Sequence, residues 1–238
     1  MKTAYLPILS LLLVCNRGNA QQNDTLNAAY NTTVNYYNSV VGNNVLLYNG
    51  IRYLNFPYKS EGHPFYEDDT WYKGHVVYDG IYYETSLRYD LATNAVIVPS
   101  LENNVVMISL VKHKLASFGW NDHEFVNIQD TLPGLKPGIY ERIYDGGVTF
   151  LSRKEKVIHE DLSKEIRFSY TENTAYYIRK DSEYVRVSTQ KGVLDVLADK
   201  KKEIQQYLKR NDIRFKSDKA DAMKKIGAYY DQLRNTKS

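Results

Sequence analysis

A tight-turn signature recurs along this 238-residue chain and constrains its fold more than any other feature. Tyr48-Asn49-Gly50, Tyr78-Asp79-Gly80 and Tyr144-Asp145-Gly146 each set Asn-Gly or Asp-Gly beside an aromatic flank. Those dipeptides accept the positive φ that a type I′ hairpin turn requires at both central positions. Ala92-Thr93-Asn94, Glu102-Asn103-Asn104, Asn121-Asp122 and Lys180-Asp181-Ser182 mark further turns. Between them lie short β-rich runs at 74–78, 81–89, 95–99, 105–111, 115–120, 124–128, 138–144, 148–153, 165–170, 175–179 and 184–188. Turns about ten residues apart predict an antiparallel meander or a partly closed barrel. The run 105–111 is nearly all apolar and reads as a central strand covered on both faces. The three Tyr-Asn/Asp-Gly turns share no flanking sequence, so they are independent turns and no propeller repeat.

Helical periodicity is confined to the two ends. In 23–41, Leu26, Tyr30, Val34 and Tyr37 fall on one helical face, with Gly42-Asn43-Asn44 as its stop. From Gln190 the chain turns charged and helical: Val193, Val196, Leu197, Ile204, Tyr207 and Leu208 form an apolar stripe, interrupted at Lys200-Lys201-Lys202, a run that reads as a solvated face. Asn211 to Lys216 breaks the pattern, and Ser217 or Asp218 caps a last helix carrying Ala222, Ile226, Tyr229 and Leu233. The expected class is therefore α+β. A signal segment (1–20) precedes a short helix and β-meander (21–189), and a C-terminal helical segment (190–238) packs on the sheet.

The first twenty residues have the three parts of a secretory leader. Lys2 is the positive start, 4–15 is apolar, and Gly18-Asn19-Ala20 is a small-x-small site that places cleavage between Ala20 and Gln21. The apolar run falls short of the roughly 20 residues a membrane span needs. Leu12-Leu13-Val14-Cys15 approaches a lipoprotein signal, but Val14 is β-branched where a small residue belongs. Cleavage removes Lys2, Arg17 and the sole cysteine, so the formal charge falls from +3 to +1. The mature chain then has no disulfide, thiolate or cysteine-ligated zinc, and no electrostatic footprint for nucleic acid.

Chemistry-bearing residues concentrate in 61–75. His63, Asp68, Asp69 and His75 are the candidate metal ligands, and His63, Asp68 and Asp69 the candidate acid–base groups, although their spacing matches no catalytic motif. His113, His123 and His159 stand among polar neighbours and carry no signal. The chain holds 22 tyrosines against 7 phenylalanines, which suits strands with wet faces. Trp71, Tyr72, Tyr78, Tyr82 and Tyr83 crowd one predicted hairpin and form the candidate ligand platform, for a sugar or a peptide. Strand alternation must turn about half of them inward.

LLYNGIRY, EGHPFYEDDTWYKGHVVYDGIYYE, LRYDLATNAVIV and the tail DKKKEIQQYLKRNDIRF…YYDQL together resemble a family of exported Bacteroidetes proteins, over nearly all of the mature chain. The resemblance implies a Gram-negative envelope or secreted location and supplies no catalytic residues. Asp24-Thr25-Leu26 and Asp130-Thr131-Leu132 are similar to the sites at which such bacteria O-glycosylate threonine. The expectation is a non-enzymatic protein that binds an envelope protein or a glycan and needs no cofactor. A metal-assisted hydrolase and a carbohydrate-binding module are the alternatives.

Overall fold

The structure, a computed structural model, describes residues 47–54, 60–100, 106–161 and 167–235. All lie in the second of two units, Met1–Val45 and Leu46–Ser238. The leader with Cys15, Ala20 and Gln21, the helix expected over 23–41, Thr25 and the turn 102–104 fall outside the described residues.

The described chain is mostly β-sheet with a few helices. Its strands are β1 (Ile51–Tyr53), β2 (Ser60–Glu61), β3 (Tyr72–Tyr78), β4 (Ile81–Asp90), β5 (Ala95–Pro99), β6 (Met107–Ser109), β7 (Leu115–Trp120), β8 (His123–Ile128), β9 (Gly138–Asp145), β10 (Thr149–Asp161), β11 (Arg167–Lys180) and β12 (Glu183–Val187). They order as β1-β6-β5-β4-β3-β7-β8-β9-β10-β11-β12, with β2 parallel beside β11. The sheet is open. Closing a barrel would need β1 and β12 to pair, but they are its two ends. From β3 to β12 the meander has one departure: after β6 the chain crosses back to lay β7 on the far side of β3. That crossing is pinned over the first hairpin, where Asp79 N–H donates to Lys114 O (2.8 Å) and Val111 N–H to the Tyr78 hydroxyl (3.3 Å).

The turn chemistry is visible in the backbone. Asp79 (φ 53°) and Gly80 (φ 77°) form the two-residue loop between paired Tyr78 and Ile81, as a type I′ turn requires. Asn121 (φ 49°) and Asp181 (φ 59°) take the left-handed position in two more two-residue hairpins. Tyr144-Asp145-Gly146 differs: Asp145 pairs with Thr149, so the loop is 146–148. The segment 105–111 contributes only Met107–Ser109, an interior strand between β1 and β5 with Ile108 in the core. The longest hairpin, β10–β11, pairs without interruption from Thr149↔Arg179 to Asp161↔Arg167. The sequence reading ends the first arm at 153 and divides the second into 165–170 and 175–179, because 154–156 and 171–174 carry no apolar residue.

Cross-strand partners share a face, so the register defines a row across eight strands: Tyr83, Val76, Phe118, Phe125, Glu141, Ser152, Tyr176 and Val187. At one end the row enters an aromatic core with Tyr66, Tyr89 and Trp120. At the other it enters a core shared with the helices α1 (Gln190–Val196), α2 (Lys201–Arg210) and α3 (Lys219–Asn235), where Val148, Phe150 and Ile178 meet Leu194, Leu197, Ile204, Met223 and Ile226. Thr189 caps α1 by accepting from Gly192 N–H (3.1 Å), and Asp218 caps α3 by accepting from Asp221 N–H (2.9 Å). The lysine run is not wholly solvated: Lys200 is buried and its Nζ donates to Leu233 O at 3.4 Å. Among the described residues no helix is long and apolar enough to cross a membrane.

Candidate functional site

The segment 62–71 is not a free acidic loop. β3 ends its pairing with β4 at Tyr72↔Leu87, and the chain just before it takes over the vacated edge. Phe65 bridges Asp90, Tyr66 N–H donates to Tyr89 O (2.8 Å), and Leu91 N–H donates to Pro64 O (2.9 Å). Lys156 Nζ donates to His63 O (3.0 Å) and Phe65 O (2.6 Å), satisfying carbonyls that would otherwise be buried unpaired. Arg88 stacks over Trp71 (4.3 Å) and Phe65 (5.1 Å) and pairs with Asp69 at 2.6 Å.

These contacts separate the candidate ligands. The His63 ring stacks on Phe65, and burial followed by the Lys156 charge lowers its pKa. Asp68 accepts from Thr70 N–H (2.9 Å), and the Tyr72 hydroxyl holds its carboxyl below the ordinary range. Asp69 is committed to Arg88, while His75 pairs with Glu124 at 3.4 Å. The four do not converge, and among the described residues no group of three or more His, Cys, Asp or Glu is placed to hold a metal ion. Each carboxylate found a nearer partner than a shared cation.

The best-connected histidine is one that sequence reasoning passed over. His123 opens β8 with Nδ1 2.7 Å from Glu141 Oε1 and Nε2 3.3 Å from Glu67 Oε1. Glu141 also accepts from the Tyr66 hydroxyl (3.1 Å) and, at Oε2, from Ser152 (2.8 Å). Lys154 Nζ donates to the Tyr66 hydroxyl (2.9 Å) and lies 4.0 Å from that ring's centroid. Burial raises the Glu141 pKa, but hydrogen bonds from His123 and Ser152 and the Lys154 charge outweigh it, so the net shift is downward. The hydrogen bond to Glu141 raises the His123 pKa against burial. Burial, then the Glu141 charge, pushes the Tyr66 phenol far up, so it stays neutral. A signal for Glu141 did exist: along β9 it shares the parity of Ile139, a core residue, and of Ile143.

The opposite face of the same strands carries an open groove. Its central row is Glu84, His75, Gly119 and Glu124 on β4, β3, β7 and β8. Gly119 makes room: a Cβ there would stand 2.9 Å from both His75 Cε1 and Glu124 Oε1. The His75 ring stacks parallel to Tyr82 (5.3 Å, 14°), and Tyr82 is 60% exposed. Lys73, Asn121 and the edge of Trp120 complete a space of about 510 Å³.

The five candidate platform aromatics divide as alternation demands. Tyr78 and Tyr83 are buried in the core, at 1% and 3% exposure. Tyr72 stacks on Trp120 (5.2 Å, 14°) and Trp71 lies beneath Arg88, which leaves Tyr82 as the one aromatic of the five presented to solvent. Trp71 thus has a guanidinium over its ring, whereas Tyr82 stacks on His75. Thr131 is exposed, in the segment between β8 and β9. Comparison with family models, with curated proteins and with solved structures found no match for this chain.

Proposed function

We propose that this chain is an exported, non-enzymatic glycan-binding protein of a bacterial envelope, and that the groove around Tyr82 is its binding surface. The observation that carries the reading is the Tyr82–His75 stack, an exposed flat ring braced from beneath and rimmed by Glu84, Glu124, Lys73 and Asn121. A pyranose offers an apolar C–H face to such a ring, while its hydroxyls donate to the carboxylates and accept from the amide and ammonium groups at the rim. The braced stack lowers the ordering cost of binding. The cluster around Glu141 is consistent with a non-catalytic role, because its carboxylate is engaged by Tyr66, Ser152 and His123 from within the fold and Tyr66 is held neutral. Export rests on the leader and on the likeness to exported envelope proteins.

The test is a glycan array probed with the purified chain beginning at Gln21, beside its Tyr82→Ala variant. Binding to a defined set of oligosaccharides, lost in Tyr82→Ala without loss of fold, is the expected result. Equal binding by both proteins, or turnover of a bound glycan, overturns the reading. Intact mass of the exported protein tests the leader: a species starting at Gln21 is expected, and one retaining an acylated Cys15 contradicts it.

A further inference from the structure

At the far end of the same outer face, a second groove has the opposite electrostatic character. It is about 420 Å³ and is lined by Lys136, Arg153, Glu155, Asn173, Tyr177 and Arg186, among others. The register explains why it is open. Arg153 pairs laterally with Ala175, and Tyr177 with Arg186, so the two arginines flank the short side chain of Ala175.

Arg153 is held in place. It pairs with Glu155 at 2.5 Å, donates to Pro137 O (3.4 Å) and the Tyr140 hydroxyl (3.5 Å), and stacks over the Tyr140 ring (5.7 Å). Gly138 permits this, since a Cβ there would stand 2.9 Å from Arg153 Nη1. Lys136 and Arg186 are both exposed, and among the described residues neither has a carboxylate within ion-pair distance. Three cations thus share one groove with a single carboxylate, in a chain whose net charge is only +3. The Asn173 amide and the Tyr177 hydroxyl stand beside them as neutral donors.

We propose that this groove binds a compact oxyanion: a phosphate, a sulfate or the carboxylate of an acidic sugar. Arg186 and Lys136 supply the charge-assisted hydrogen bonds, and the anchored Arg153 supplies a fixed positive wall. Charge is the selecting element, because the same groove would leave an amine facing three cations. The site shares no residue with the Tyr82 groove, so either can fail without the other.

The experiment follows the arginine Nε–Hε resonances of the 21–238 chain by NMR while inorganic phosphate, inorganic sulfate or glucuronate is added at constant ionic strength. Saturable shifts of Arg153 and Arg186 with at least one of the three are expected, and the strongest binder names the oxyanion. Affinity should fall at least about tenfold in the double variant Lys136→Gln, Arg186→Gln. Both positions are exposed, so its thermal midpoint should be unchanged. Arg186→Gln alone gives an intermediate loss. Shifts that match those with chloride, or a double variant that binds as the parent does, overturn the proposal.

Discussion

His123 and Glu141 meet through a 2.7 Å contact between Nδ1 and Oε1, and the other imidazole nitrogen of His123 faces Glu67 at 3.3 Å. A neutral imidazole has one N–H, so it can donate to only one of the two carboxylates. Both contacts together need the imidazolium. Protonation of His123 therefore clasps the 62–71 segment to the buried carboxylate on β9.

The clasp predicts how stability follows pH. The His123 pKa is higher in the folded chain than its ordinary 6.5, so its contribution is complete below that value and disappears as pH rises through the raised one. Glu141 is the reverse: its pKa lies below the ordinary 4.5, so its contribution is complete above that value and disappears as pH falls through the depressed one. Thermal midpoints measured across this range should show a plateau with a loss on the alkaline side, above pH 6.5. His123→Gln should abolish that alkaline step. A step of the same size in the variant would assign it to another group.

Adjacent tyrosines should behave oppositely. Tyr83→Ala opens the aromatic core and is expected to cost about 3–5 kcal/mol, the usual range for a large buried aromatic. Tyr82→Ala should change stability by no more than about 0.5 kcal/mol, as exposed positions do. Chemical denaturation of both variants checks the alternation directly.

Gly119→Ala tests the floor of the groove. The added Cβ would stand 2.5 Å from His123 O, a backbone atom, and would press on His75 and Glu124. A destabilisation of about 1–3 kcal/mol is expected, with weakened glycan binding, because the His75 ring must leave its place under Tyr82. Parent-like binding and stability in this variant would show that the floor is not constrained.

The C-terminal helices cover Val148, Phe150 and Ile178. Ile226→Ala should cost about 2–5 kcal/mol. Removing residues from Lys191 onward should expose that sheet surface and end cooperative unfolding. A truncated chain that melts cooperatively at the parent's temperature would make the helices an appendage.

What could be read from sequence was what short-range chemistry determines. Asp79-Gly80 specified its turn because only a few residues tolerate that backbone, and the run 115–120 ends where β7 does because the Asn121-Asp122 turn follows it. The cap at Asp218, one of the two residues the sequence offers there, is likewise local. The site was less legible because it is made by register. Tyr66 reaches His123 across 57 residues of sequence and Glu141 across 75. Nothing near His123 announces a carboxylate that arrives on another strand. Lys200 misled for a related reason: its charge marks it as solvated, but a helix C-terminus contributed from 33 residues away supplies the acceptor. Tyr82 was legible as a candidate, but its distinction from Tyr83 required knowing which face the helices and the aromatic core would take.

The central claim is that a glycan seats on the Tyr82–His75 stack. Chemical-shift mapping of the ¹⁵N-labelled 21–238 chain with an oligosaccharide selected from the array tests it most directly. Saturable shifts centred on Lys73, His75, Tyr82, Glu84, Asn121 and Glu124, absent in Tyr82→Ala, are the predicted result. Saturable shifts centred elsewhere on the sheet, or none with any saccharide, would contradict it.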